Sequence, residues 1–161
     1  MIDAGLRTQI NCCVTGRQPW PLLIYGSVGT GKTVAAILLC VTVGRGCLYR
    51  TLSGRCEELA DAMRGQCFNE VRNREVTVSE LRCWWRESPL TVLDEIGGRS
   101  PSDFQCETLQ RSVDDRDGRP CVFISNHGPD VIADMFDDRV ASRLCCGTVV
   151  QVCGEDRRQA K

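Results

Sequence analysis

Residues 26–33 read GSVGTGKT, a glycine-rich octet closing on lysine and threonine, set between the apolar run PLLIY and the apolar stretch KTVAAILLCVTV. The octet satisfies G-x-x-x-x-G-K-[ST] in the strand, loop and helix context that the pattern requires. Gly26, Gly29 and Gly31 let the backbone of Ser27, Val28 and Thr30 wrap tightly, so that successive N–H groups point inward at an anion. The helix that follows adds the positive end of its dipole. Lys32 supplies a point charge for β and γ phosphates, and the Thr33 hydroxyl is a hard oxygen ligand for Mg²⁺. The whole set, Gly26 to Thr33, therefore points to ATP and Mg²⁺. A mere glycine turn before a core helix would explain the glycines but not their agreement with the flanking elements.

That loop belongs to an α/β chain. Five short apolar runs, 21–25, 47–52, 90–94, 121–125 and 148–152, lack clean alternation, as expected of parallel strands covered on both faces. Helix-like segments separate them. The first spans 32–43 and closes at Gly44 and Gly46. A second follows Ser53 as N-cap and carries Leu59, Ala62 and Met63. A third starts near Ser79 and turns Leu81, Trp84 and Trp85 inward. A fourth starts at Ser100-Pro101 and runs to Asp115. Short helices over 129–136 and 138–145 complete the set.

At 161 residues the chain suits one domain. With 20 basic against 21 acidic side chains it has no global field that would draw in a nucleic acid, although a local basic strip remains compatible with that balance. Twelve cysteines would fit a disulfide scaffold. Against this, the N-terminal MIDAGLRTQI has no basic region leading into an apolar run, and the apolar stretch 34–43 is too short to span a bilayer. The expectation is a cytoplasmic protein with reduced thiols, no membrane association, and cysteines serving mostly as small core hydrophobes. No C-x-x-C occurs and His127 is the only histidine, so zinc is not indicated.

The run LTVLDEIG ends in two carboxylates at the carboxyl end of a strand, the edge where ligands bind in an open α/β sheet. Asp94 is placed to hold Mg²⁺ through its water shell, and Glu95 to polarise a water for attack on a γ-phosphate. CVFISNHG brings Asn126 to the same edge, where it could hydrogen-bond that water or the phosphate, or simply form a turn. His127 reads as a cap or packing residue. In DDRVASRL, Arg139 and Arg143 lie four residues apart on one helical face, as a projecting pair or a solvated basic surface.

With these residues in hand the chain resembles the AAA+ ATPases of the initiator and helicase-loader clade, most closely the DnaC/IstB group, and is similar to DnaA toward its C-terminal end. GSVGTGKT matches Walker A, LTVLDEIG Walker B, GRPCVFISN the sensor 1 block with Asn126, and DDRVASRL the arginine-finger helix. The resemblance implies a three-layer P-loop fold with a parallel five-stranded sheet of order 5-1-4-3-2. It also implies ATP bound at a subunit boundary in an ATP-dependent homo-oligomer, with an arginine given in trans. Arg143 matches the finger position better than Arg139. In GEDRRQ, Arg158, with Arg157 as fallback, matches the terminal sensor arginine that touches nucleotide. Residues 1–161 are expected to form a single AAA+ domain without a lid or an N-terminal partner-binding module.

The implied activity is Mg²⁺-dependent ATP hydrolysis in DNA replication, as a replicative helicase loader acting on single-stranded DNA. Three alternatives stay open: an IstB-like ATPase serving a transposase on duplex DNA, a P-loop small-molecule kinase, and a nucleotide-switched binding module with negligible turnover. Glu95 and the placement of the arginine pair on a short helix disfavour the kinase.

Overall fold

The computed structural model describes residues 4–70, 73–98 and 100–154. Five parallel strands form its main sheet: β1 (Leu22–Gly26), β2 (Leu48–Thr51), β5 (Thr91–Ile96), β6 (Cys121–Ser125) and β7 (Thr148–Val152). Between β2 and β5 the chain makes a two-stranded antiparallel hairpin, β3 (Phe68–Asn69) and β4 (Arg74–Glu75). The order across the sheet is β2-β5-β6-β1-β7. These labels differ from the expected 5-1-4-3-2 because the hairpin, whose strands are too short to carry a hydrophobic pattern, takes two places in chain order. Counted without it and read from the β7 edge, the parallel strands succeed one another as fifth, first, fourth, third and second.

Alternate residues along the strands feed two cores. Leu23, Leu93 and Phe123 point to one face, where α3 (Leu52–Met63), α4 (Val78–Glu87), α5 (Asp103–Asp114), α6 (Pro129–Met135) and α7 (Asp138–Leu144) contribute Leu52, Trp85, Leu109, Ile132 and Leu144. Leu22, Ile24, Val92, Val122 and Ile124 point to the other, covered by α1 (Ala4–Val14) and α2 (Lys32–Val43) through Leu6, Ile10, Ala35, Ala36 and Leu39. The result is three layers, with the strands buried on both faces as their lack of alternation requires.

Helices α2, α6 and α7 start where expected, whereas the starts of α3, α4 and α5 differ by a residue or more, and the caps say why. Thr51, not Ser53, caps α3, its Oγ1 accepting from the Gly54 N–H at 3.0 Å. Thr77 caps α4 in a reciprocal capping box with Glu80, ahead of the expected start at Ser79. Ser102 and Gln105 form the same box on α5, displacing its start from Ser100-Pro101. Of the three α4 side chains expected inward, Leu81 and Trp85 are buried, and Trp84 is half-buried against a small third core of Leu59, Val76 and Leu81. Helix α1 was not anticipated from its sequence, which carries only three buried positions, Leu6, Ile10 and Cys13. All twelve cysteines are free. Among the described residues no helix is long and apolar enough to cross a membrane.

Candidate phosphate and metal site

The loop that leaves β1 enters α2 at the carboxyl edge of the sheet. Gly26 has φ 139° and lies so close to β7 that a Cβ there would sit 2.1 Å from the Val152 carbonyl oxygen. Gly31, the N-cap of α2, is left-handed at φ 89°, a conformation that costs other residues energy and glycine almost none. Inside the loop, Thr30 Oγ1 donates to the Ser27 carbonyl at 2.9 Å. Lys32 is 6% exposed and donates from Nζ to the Gly26 and Ser27 carbonyls at 2.8 and 2.7 Å, so its ammonium sits within the curl of the loop. Ser27 and Val28 form the exposed tip.

The acidic pair lies beside this loop on β5, which reaches two residues past the expected end at Asp94, to Ile96. Asp94 is 3% exposed and is a hub. Its Oδ2 accepts from Thr33 Oγ1 at 2.7 Å and from the Tyr49 hydroxyl at 2.8 Å, and its Oδ1 accepts from the Glu95 N–H at 2.7 Å. Burial first, and then the Asp94 carboxylate, pushes the pKa of Tyr49 well above that of a free tyrosine. Because Thr33 gives its proton to Asp94, the lone pairs of its hydroxyl remain for a cation. A hydroxyl and a buried carboxylate held this way beside a phosphate-type loop are the hard-oxygen donors that Mg²⁺ takes, so this chain fits Mg²⁺ and a nucleoside triphosphate.

Glu95 follows in a different environment. It is exposed, has φ 59°, and marks the point where the β5–β6 register shifts between Leu93 and Ile96. This irregularity turns the Glu95 side chain away from the alternation of the strand and into a cleft of about 480 Å³, lined also by Ser53, Gly97, Gln105, Asn126 and Phe136. Asn126 is exposed at the end of β6. Ser125 ties the two strand ends together, its Oγ donating to the Ile96 carbonyl at 2.7 Å and accepting from the His127 N–H at 3.0 Å. His127 contributes this backbone contact, and its ring lies near Gly97, where a Cβ would meet it at 3.2 Å. Tyr49 and Ser125 were missed by sequence reasoning. An isolated tyrosine or serine in a strand carries no signal until the neighbouring strand is known.

Arg143 is not near this group. Helix α7 ends at Leu144, shortly before β7 begins at Thr148, so Arg143 lies at the amino edge of the sheet, beside Pro21 and Phe123. A strand's length, roughly 17 Å, separates that edge from the phosphate loop. There Arg143 forms an ion pair with Asp114 at the end of α5. Arg139, one helical turn earlier, is exposed. Arg157 and Arg158 lie outside the described residues.

No family model and no curated protein sequence matches this chain. Solved structures do. DnaA from Aquifex aeolicus bound to AMPPCP superposes with a TM-score of 0.75 at 19% identity, over 94% of this chain and 48% of that one. The fold is that of the replication initiators and helicase loaders. A DnaA structure with AMPPCP and single-stranded DNA gives 0.71 at 20% identity, over 93% and 46% of the two chains. The DnaC helicase loader gives 0.70 at 16% identity, over 92% and 86%. The chain thus spans about half the length of these DnaA structures and most of the DnaC one. The resemblance to the AAA+ initiator and helicase-loader clade, drawn above from four short motifs, holds at the level of the three-dimensional fold.

Proposed function

We propose that this chain is an ATP-binding and ATP-hydrolysing AAA+ module acting in DNA replication, with the loading of a replicative helicase as its task. The observation that carries the ATPase assignment is the Thr33–Asp94 hydrogen bond of 2.7 Å beside the phosphate loop, with the exposed Glu95 next in sequence. Gly26, Ser27, Val28, Gly29, Thr30 and Gly31 form the phosphate cradle, and Lys32 exchanges its loop carbonyls for phosphate oxygens. Thr33 and Asp94 hold Mg²⁺, which when bound offsets the charge developing on the transferred phosphoryl group. Glu95 takes a proton from the attacking water, and Asn126, across the same cleft, orients that water. Arg143 serves the site of a second copy, and Arg158 is assigned to the nucleotide on the family resemblance alone. Similarity to the DnaC helicase loader supports a hexameric helicase as partner, and similarity to a DnaA structure holding single-stranded DNA supports that DNA as a ligand of the assembled protein.

Two variants test the division of labour. Lys32→Ala is expected to abolish nucleotide binding, and Glu95→Gln to retain ATP while hydrolysing it at a small fraction of the normal rate. Both are read by nucleotide-binding titration and phosphate release, and equal loss of binding in the two variants would contradict the separate roles. Glu95→Gln protein with ATP should also retain partners from a lysate of the source cell. Recovery of a helicase supports the loading role, whereas recovery of a transposase overturns it.

A further inference from the structure

A buried carboxylate has about four acceptor positions, two on each oxygen. On Asp94 both positions of Oδ2 are taken, by Thr33 Oγ1 at 2.7 Å and the Tyr49 hydroxyl at 2.8 Å, and one on Oδ1 is taken by the Glu95 N–H at 2.7 Å. A single position, on Oδ1, is left for a metal-bound water. Thr33 and Glu95 are held by the phosphate loop and by the backbone, but Tyr49 comes from the neighbouring strand, where it pairs in register with Val92 while Thr51 pairs with Asp94. Its ring packs against the α1–α2 core and its hydroxyl reaches along the strand to the carboxylate. Packing and hydrogen bonding are therefore separable in this residue.

We propose that Tyr49 is a positioning residue of the magnesium site: its hydroxyl occupies the second acceptor position of Asp94 Oδ2, locks the carboxylate, and so directs the metal's water shell to Oδ1. This role rests on the ATPase function proposed above. Without the hydroxyl, Asp94 gains a second acceptor facing no fixed donor, can rotate about χ2, and loosens its hold on both Thr33 and the Glu95 backbone. The loop that cradles phosphate is untouched, so the defect belongs to the metal and not to the nucleotide.

The test compares wild type with Tyr49→Phe, which keeps the ring, and Tyr49→Leu, which removes it. Fluorescence titration with a mant-labelled ATP is run in EDTA and then at increasing Mg²⁺. In EDTA, Tyr49→Phe is expected to bind as wild type does. With metal, its half-saturating Mg²⁺ should rise about tenfold, the worth of one hydrogen bond to a charged group, and Tyr49→Leu should show a similar rise. A Tyr49→Phe protein whose Mg²⁺ titration matches wild type overturns the inference while leaving the ATPase assignment standing, because Tyr49 is then only a packed ring with a satisfied hydroxyl. So does a Mg²⁺ defect confined to Tyr49→Leu, or a Tyr49→Phe defect that is equally large in EDTA. Wild-type protein that binds the nucleotide no more tightly with Mg²⁺ than without it overturns the inference and the metal assignment together.

Discussion

Glu95 pays no steric penalty in most strands, yet here it is one of two non-glycine residues with positive φ among those described, at 59°. A left-handed backbone costs an L-residue roughly 1–2 kcal/mol, and such strain gathers at sites where a side chain must point where regular structure would not send it. The Asp94 Oδ1 contact to the Glu95 N–H and the slipped register against β6 hold the residue there. Glu95→Gly is therefore expected to raise the free energy of unfolding by about 1 kcal/mol, while ending hydrolysis. Glu95→Gln, with the same backbone cost, should end hydrolysis and leave stability unchanged. Urea unfolding of the three proteins checks this, and a Glu95→Gly variant less stable than wild type would show that the conformation carries no strain. The placement of two carboxylates at the end of this strand was legible in LTVLDEIG, because a polar pair closing an apolar run marks where the strand leaves the core. The geometry was not, since φ at Glu95 is imposed by a register shift against β6, whose Ser125 pairs with Ile96 from 29 residues further along the chain.

 That pairing of β5 with β6 exists only once the strand order is set, and the same holds for the Tyr49 contact to Asp94 and for Ser125 bridging the two strand ends.

At the scale of elements, α4 shows how a helix is fixed at both ends. Its N-terminus has the Thr77–Glu80 capping box. Its C-terminus is held by Arg116, a guanidinium only 2% exposed, which donates from Nη1 to the carbonyls of Trp85, Arg86 and Ser88 at 3.1, 2.8 and 2.8 Å and from Nη2 to that of Pro120. Burial lowers the pKa of this arginine, and the carbonyl dipoles compensate its charge. Arg116→Leu leaves those carbonyls without their donor and should cost about 3 kcal/mol. Thermal and urea unfolding measure this, and a loss no larger than that of an exposed substitution such as Arg139→Leu would show that Arg116 is not the pin. The five parallel strands and the order of α2 to α7 were legible in the sequence because apolar runs are local, whereas the caps of α3, α4 and α5 each lie two residues from the serine expected to mark the start. Arg116 was not, since nothing local separates a buried arginine from an exposed one. Nor was the inward face of α2. KTVAAILLCVTV is apolar all round, so periodicity cannot choose a side, and the fold buries Lys32, Ala35, Ala36 and Leu39 while leaving Val34, Ile37, Leu38 and Val41 exposed.

For the whole molecule, the placement of Arg143 matters most. On the opposite edge of the sheet from the phosphate loop, it cannot serve the nucleotide of its own chain, and to serve another it must leave Asp114. Arg143→Ala is expected to bind ATP normally and hydrolyse it poorly, since an arginine supplied to the γ-phosphate is worth roughly 10³ to 10⁵ in rate in related phosphoryl-transfer enzymes. Mixing Arg143→Ala with Lys32→Ala should restore part of the activity, because one mixed contact joins an intact loop to an intact arginine. No recovery over a range of ratios, with mixed assemblies shown to form, would remove Arg143 from the mechanism. The two-ended layout has a further consequence for counting. A protein that gives at one end and receives at the other adds copies head to tail, so a linear run always carries one incomplete site at a terminus, and only a closed ring completes them all. Turnover per copy would then climb with the length of the run, steeply from one to two copies and ever more gently after that.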